Sequence, residues 1–355
     1  MNPHFYSVHL LNPLYLIRNR VSWLVLIKIL PLAAFVAPMV LLFLLNPIDP
    51  FLKLSAQDSF QLMWKGRTFQ LFFVWLIALE LMLSWETINL RISKYNRAVV
   101  LFCVIGLLLP SLYVLAENYF GFNNLLASWA SQSGVTFFES MPLAVEYLVF
   151  GLFFCFMTLA TFGRKGLKIF VLPALFIILV GILYTVDNLF PYGQFTPFQL
   201  LVPTTALLAS GVLGFIGYST VSGTENGMPT LQASGSLGTA KFAIAWPCAG
   251  VESLLIFTAV TLLFLKRMPV SWKAKLGFFA FGAAITYLIN VLRITVIFTI
   301  GMQYGTSSDQ VQMFHFYYGP LYAMAWIVSY PLILLGSHWL WRRTRTPQLT
   351  PLIPV

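Results

Sequence analysis

Hydrophobic and polar positions along this chain segregate into long blocks. Apolar runs occupy residues 21–46, 68–90, 97–116, 142–162, 167–187, 248–265, 275–300 and 314–341. Each approaches the roughly twenty residues a helix needs to cross about 30 Å of hydrocarbon. A ninth stretch, 197–219, is interrupted by Pro203, Gly211, Gly214 and Gly217. Residues 219–245 are the most polar part of the chain, and Lys241-Phe242-Ala243-Ile244-Ala245 alternates polar with apolar. This predicts a short hairpin over the membrane surface. The Pro-rich segment 346–355 reads as a disordered tail.

Of the 355 residues, 59% are hydrophobic and 9% charged. Soluble domains carry about a quarter charged residues, so a soluble fold is excluded. The net charge of +10 comes from lysines and arginines lying between apolar runs. Such residues report topology and do not point to a nucleic-acid partner. Three cysteines without C-x-x-C spacing predict no metal site and no disulfide framework, and no cofactor is expected. Arg18 and Arg20 precede a run too long for a signal peptide, and it contains Pro31 and Pro38, so it reads as a retained first span.

Basic residues orient the spans. Arg18 and Arg20, then Arg91, Lys94 and Arg97, then Arg164, Lys165 and Lys168 mark cytoplasmic edges in the first half. Lys266, Arg267, Lys273 and Lys275, then Arg342, Arg343 and Arg345 do so in the second. The two halves disagree by one crossing, which a re-entrant or broken 197–219 resolves. The expectation is an all-α integral membrane protein: a polytopic bundle of about eight spanning helices plus one re-entrant or broken segment near 197–219. Its regions are a cytoplasmic segment 1–20, amino-terminal transmembrane helices 21–196, a catalytic transmembrane region 197–345 with an outer-face loop 219–247, and a cytoplasmic tail 346–355.

Within this topology three reactive side chains share the outer side. Cys248 follows Pro247 at the head of one apolar run, Arg293 lies inside the next, and His315 opens the last. Cys103 and Cys155 sit in continuous apolar segments and read as small hydrophobes. A thiolate forms more readily at a helix amino terminus or beside a cation, and Cys248 is placed for both. An arginine inside a span is expensive and by default marks a functional site, the alternative being a side chain that snorkels to the headgroups. Asn290, three residues earlier, shares its face and can orient the guanidinium or make an interhelical hydrogen bond. His315 reads as a general base or acid, or as an interfacial histidine beside Phe314 and Phe316. Glu252, one turn after Cys248, opposes a thiolate but can hold Arg293, while Glu80 lies deep in the second span, paired or protonated.

Cys248-Ala249-Gly250-Val251-Glu252-Ser253, Asn290-Val291-Leu292-Arg293 and His315-Phe316-Tyr317-Tyr318-Gly319, in this order over residues 197–341, resemble the exosortase and archaeosortase family of membrane transpeptidases. The last helix, from Gly319 onward, is similar to that of archaeal members. The resemblance implies catalytic roles for Cys248, Arg293 and His315, with Asn290, Glu252, Ser253 and Gly250 supporting the site or binding substrate. It also implies secreted protein substrates ending in a short motif, a hydrophobic helix and a basic tail, cleaved outside the plasma membrane and passed to a membrane lipid or other surface acceptor. Ala249 and Glu252 stand where bacterial members often carry serine and arginine, which leaves the sorting motif open. Two other readings use the same residues: a transporter or lipid carrier with a polar Asn290/Arg293 site, and an acyltransferase with His315 as base and no covalent enzyme intermediate.

Overall fold

The computed structural model describes residues 13–45, 68–88, 97–190, 200–225 and 227–345. Its amino-terminal helices are α1 (Pro13–Leu45), α2 (Thr68–Leu83), α3 (Arg97–Tyr119), α4 (Phe122–Gln132), α5 (Met141–Ile169), α6 (Val171–Leu189) and α7 (Leu201–Phe215). Three strands follow: β1 (Ser219–Glu225), β2 (Met228–Gly235) and β3 (Gly238–Ala243). The chain then forms α8 (Val251–Leu265), α9 (Trp272–Tyr304), α10 (Asp309–Met313), a π-helical turn Phe314–Tyr318 and α11 (Gly319–Arg345).

Two hydrophobic cores hold these elements. The larger is built on aromatic rings: Phe35 of α1, Phe73 of α2 and Phe150 and Phe154 of α5 are fully buried, and Phe73 meets Phe35 edge-on at 5.2 Å and Phe154 at 5.1 Å. Edge-to-face packing lets the positive rim of one ring meet the negative face of another, and so adds to simple burial. Ile256, Phe257, Val260 and Leu263 join α8 to this core. The smaller core packs α7, the sheet and α9 together through Val202, Leu213, Leu231, Ala240, Trp246, Val291 and Phe298. The segment from Trp246 to Val251 lies where the two meet.

Polar side chains inside the bundle partner one another, as a medium without water requires. Gln70 donates to Glu146, and both are buried. Glu80 is fully buried at the far end of α8, where Arg267 reaches both its carboxylate oxygens, at 2.5 and 3.3 Å, and Lys266 reaches one at 2.8 Å. Arg267 also donates to Ser84, so one charge cluster ties α2 to the end of α8.

The expectation of about eight spans is corrected. Among the described residues, four helices are long and apolar enough to cross a membrane: Phe138–Ile169, Val171–Leu189, Trp272–Tyr304 and Gly319–Leu340. There are up to five if Ile105–Tyr119 and Phe122–Gln132, bent by 72°, form one span. Apolar run and helix do not coincide elsewhere: α8 starts only after a turn at 246–250, and its 15 residues rise about 22 Å, short of the hydrocarbon thickness. The architecture is mostly helical, as expected of an all-α membrane protein, with one small sheet added. Residues 219–225 and 227–243 form an antiparallel meander β1-β2-β3, one strand more than the predicted hairpin, with Thr230 opposite both Gly223 and Ala243. Nor is the stretch near 197–219 broken where it is described: α7 is one unbroken helix of 15 residues with Pro203 in its first turn, which tolerates proline. The sharp bend lies between α3 and α4. Residues 346–355 and 1–12 lie outside the described residues.

The charge cluster makes a prediction about stability. Arg267→Met strips a fully buried carboxylate of its bidentate partner and is expected to destabilise the protein by about 3 kcal/mol. The double change Glu80→Leu with Arg267→Met should recover most of that loss. Thermal unfolding of the detergent-solubilised protein measures both, and equal losses in the single and double variants would contradict this account.

Candidate active site

Cys248 lies in the turn that precedes α8, not on the helix itself. The turn closes through Ala249 N–H, which donates at 3.1 Å to the carbonyls of Ala245 and Trp246. Gly250 then caps the helix with φ 94°, a left-handed conformation that a side chain would strain. A Cβ there would also lie 3.1 Å from Asn290 Nδ2. The thiol therefore sits two residues ahead of the cap of a 15-residue helix, on the side where the helix dipole is positive.

Side chains from neighbouring helices hold the turn's carbonyls. Asn290 Nδ2 of α9 donates to the Cys248 carbonyl at 2.8 Å. The Thr205 hydroxyl of α7 lies 3.2 Å from the Ala249 carbonyl and 2.7 Å from the Tyr287 hydroxyl. Trp246, 2% exposed, donates its indole N–H to Asp187 at 2.7 Å. Beyond the thiol, Glu252 accepts from the Tyr184 hydroxyl at 2.7 Å.

The other reactive groups arrive from α9 and the π-helical turn. His315 Nε2 stands 3.4 Å from Cys248 Sγ, within hydrogen-bonding range for sulfur. Arg293 Nη2 donates to the His315 carbonyl at 2.8 Å, fixing the backbone that carries the imidazole. The same guanidinium lies within electrostatic reach of Cys248 and Glu252, and its buried Nε has no hydrogen-bond partner among the described residues. Arg293 passes so close to α11 that a Cβ on Gly319 would meet its Nε at 2.6 Å. His315 opens no helix, contrary to expectation. It sits in a π-helical turn between α10 and α11, a local widening of the helix that recurs at functional sites.

The structure thus brings together Cys248, His315, Arg293, Asn290, Gly250 and Glu252. Ser253 lies half-buried on the first turn of α8 and makes no hydrogen bond to another of these residues. Cys155 packs against the larger core, and no Cys103 side-chain geometry belongs to the described residues. Tyr184, Asp187, Trp246 and Thr205 were not anticipated. The signal for the first two was polar side chains three residues apart near the end of an apolar run. No group of three or more His, Cys, Asp or Glu among the described residues is placed to hold a metal ion.

The family model for transmembrane exosortase matches residues 63–334. The chain belongs to the transmembrane exosortase family. The match reaches well into the amino-terminal helices, beyond the 197–341 over which the motifs resemble the family. Comparison with curated proteins and with solved structures gives no match. Membership makes this exosortase a multi-pass membrane protein with, in general terms, a transpeptidase or sorting role.

The contact between Arg293 and Gly319 yields a matched pair of substitutions. Gly319→Val should displace the guanidinium from the His315 carbonyl and, by leaving a buried cation without its partner, destabilise the protein by about 3 kcal/mol. Gly336→Val, on the same helix with nothing within 4 Å of its Cβ position, should change stability by no more than about 0.5 kcal/mol. Equal shifts of the two in thermal unfolding of the detergent-solubilised protein would refute the placement of Arg293.

Proposed function

We propose that this exosortase is a cysteine transpeptidase of the plasma membrane. It cleaves the carboxyl-terminal sorting signal of secreted proteins on the extracytoplasmic side and passes them to a lipid or other surface acceptor. The observation that carries the reading is the 3.4 Å separation of Cys248 Sγ and His315 Nε2. A thiol and an imidazole at that distance make the nucleophile and base of a covalent mechanism.

In this reading His315 takes the Cys248 proton, and the thiolate, favoured by Arg293 and the amino terminus of α8, adds to the scissile carbonyl. Arg293, with an uncommitted donor at Nε, stabilises the oxyanion. The C–N bond then breaks, His315 gives its proton to the departing amine, and a thioester remains on Cys248. The acceptor nucleophile adds to the thioester, loses its proton to His315 and displaces the Cys248 thiolate. Asn290 holds the Cys248 carbonyl and Gly250 shapes the cap, so both support the site by fixing where the sulfur stands. Substrates with a motif, a hydrophobic helix and a basic tail suit a thiol at the head of a helix in a bundle: a signal helix held in the bilayer presents its motif at that level.

Cys248→Ala should abolish reporter processing while the protein still inserts, and His315→Ala should lower it by at least about a hundredfold, the scale of general acid–base catalysis. Pulse-chase of the reporter with quantification of the exosortase in membranes tests both. Processing retained by Cys248→Ala would sink the covalent reading. Near-silent Cys248→Ser would favour a transporter or lipid carrier built on Asn290 and Arg293.

A further inference from the structure

Tyr184 and Asp187 occupy positions i and i+3 of α6, one face of one helix turn. Their partners bracket the thiol: Trp246 two residues before it and Glu252 four residues after it, each held at 2.7 Å. The Tyr184 ring also meets the Trp246 ring edge-on at 6.0 Å. The end of α6 is itself tied down. Asn188, 2% exposed, accepts from Ser140 at 2.6 Å, and Tyr184 packs against Phe69 and Tyr147, both at 5.9 Å.

We infer that Asp187 and Tyr184 are positioning residues that clamp the nucleophile turn from both sides and hold Cys248 at His315. The inference rests on the nucleophile reading above. Neither residue touches the sulfur. They act through Trp246 and Glu252. The turn carries no regular ladder of its own, so the path of its backbone is set by the side chains that grip it: Asn290 and Thr205 on its carbonyls, and Asp187 at its entry. Tyr184 has a second task. By donating to Glu252 it holds in place the one carboxylate of the α8 first turn. The charged and titratable groups placed around the thiol are then His315 from the π-helical turn, Arg293 from α9, Glu252 from α8 and Asp187 from α6.

The test reads the sulfur directly. Cys103→Ala and Cys155→Ala leave Cys248 as the single thiol of the full chain. The purified protein in detergent is alkylated with iodoacetamide across pH. Accessibility scales the rate, whereas the midpoint of the profile reports the surroundings of the sulfur. In the otherwise wild-type protein the midpoint should lie below the free-thiol value of about 8.5. Trp246→Phe, which keeps a ring and deletes the N–H, and Asp187→Leu should each raise it by about one unit, as should Tyr184→Phe by releasing Glu252. Asp187→Asn retains an acceptor oxygen and should stay within about 0.3 of wild type, a rescue that a loss of bulk stability would not give. A lowered midpoint unmoved by Trp246→Phe and Asp187→Leu overturns this assignment and leaves the nucleophile reading standing. A midpoint at the free-thiol value in the starting protein overturns both. Trp246→Phe carries the decision should Asp187→Leu fail to elute as a folded species.

Discussion

A turn inside an apolar bundle must find partners for its own carbonyls, because lipid and packed side chains offer none. This constraint organises the site. Residues 246–250 leave the regular helix, and the groups they expose are met by Asn290, Thr205 and Asp187 from three different helices. The π-helical turn at 314–318 is met in the same way, with Arg293 donating to the His315 carbonyl. Two irregular segments far apart in sequence are each fastened by α9, at Asn290 and Arg293, three residues apart on one face. The distance between Cys248 and His315 follows from that shared anchor.

The two cores explain why the anchor is rigid. The aromatic core holds α8 through Ile256, Phe257, Val260 and Leu263, and the smaller core holds the sheet, α9 and, on either side of Cys248, Trp246 and Ala249. Close packing excludes a side chain at Gly319, where a Cβ would meet Arg293 at 2.6 Å, and the left-handed backbone at Gly250, with Asn290 at 3.1 Å, disfavours one there. At its other end α8 is pinned by Glu80 to Lys266 and Arg267. A helix fixed at both ends delivers its amino terminus, and the positive end of its dipole, to one place beside the Cys248 turn.

Much of the site was legible in the sequence, because its key residues violate the pattern around them. Arg293 and Asn290 are polar in a long apolar run, and Cys248 is the cysteine with a punctuated setting. Placing them on one side with His315 rested on a span count that the structure corrects, and their closeness comes from the packing of α9 against the turn before α8 and the π-helical turn. Tyr184 and Asp187 left only a weak trace, two polar residues three apart near the end of an apolar run, and Thr205 left none, since such residues are common there and their partners are set by tertiary packing. Span count was also misread. An apolar run extends through turns as readily as through helix, so 248–265 looked long enough to cross until Gly250 set the true helix start. Residues 197–219 looked broken because Pro203 and the glycines resemble interruptions, whereas a first-turn proline and two helical glycines are compatible with the unbroken α7. The sheet was half visible: alternation marked β3, but the exposed, polar β1 carried no comparable signal.

The central claim is that the sulfur of Cys248 becomes covalently joined to the cleaved substrate. Intact-mass spectrometry of the purified exosortase, quenched in acid during turnover of a signal-bearing reporter, tests it most directly. The account predicts an adduct with the mass of the reporter's amino-terminal portion, mapped to Cys248 and released by hydroxylamine as a thioester would be. Turnover proceeding with no adduct on Cys248, or with an adduct on another residue, would contradict it.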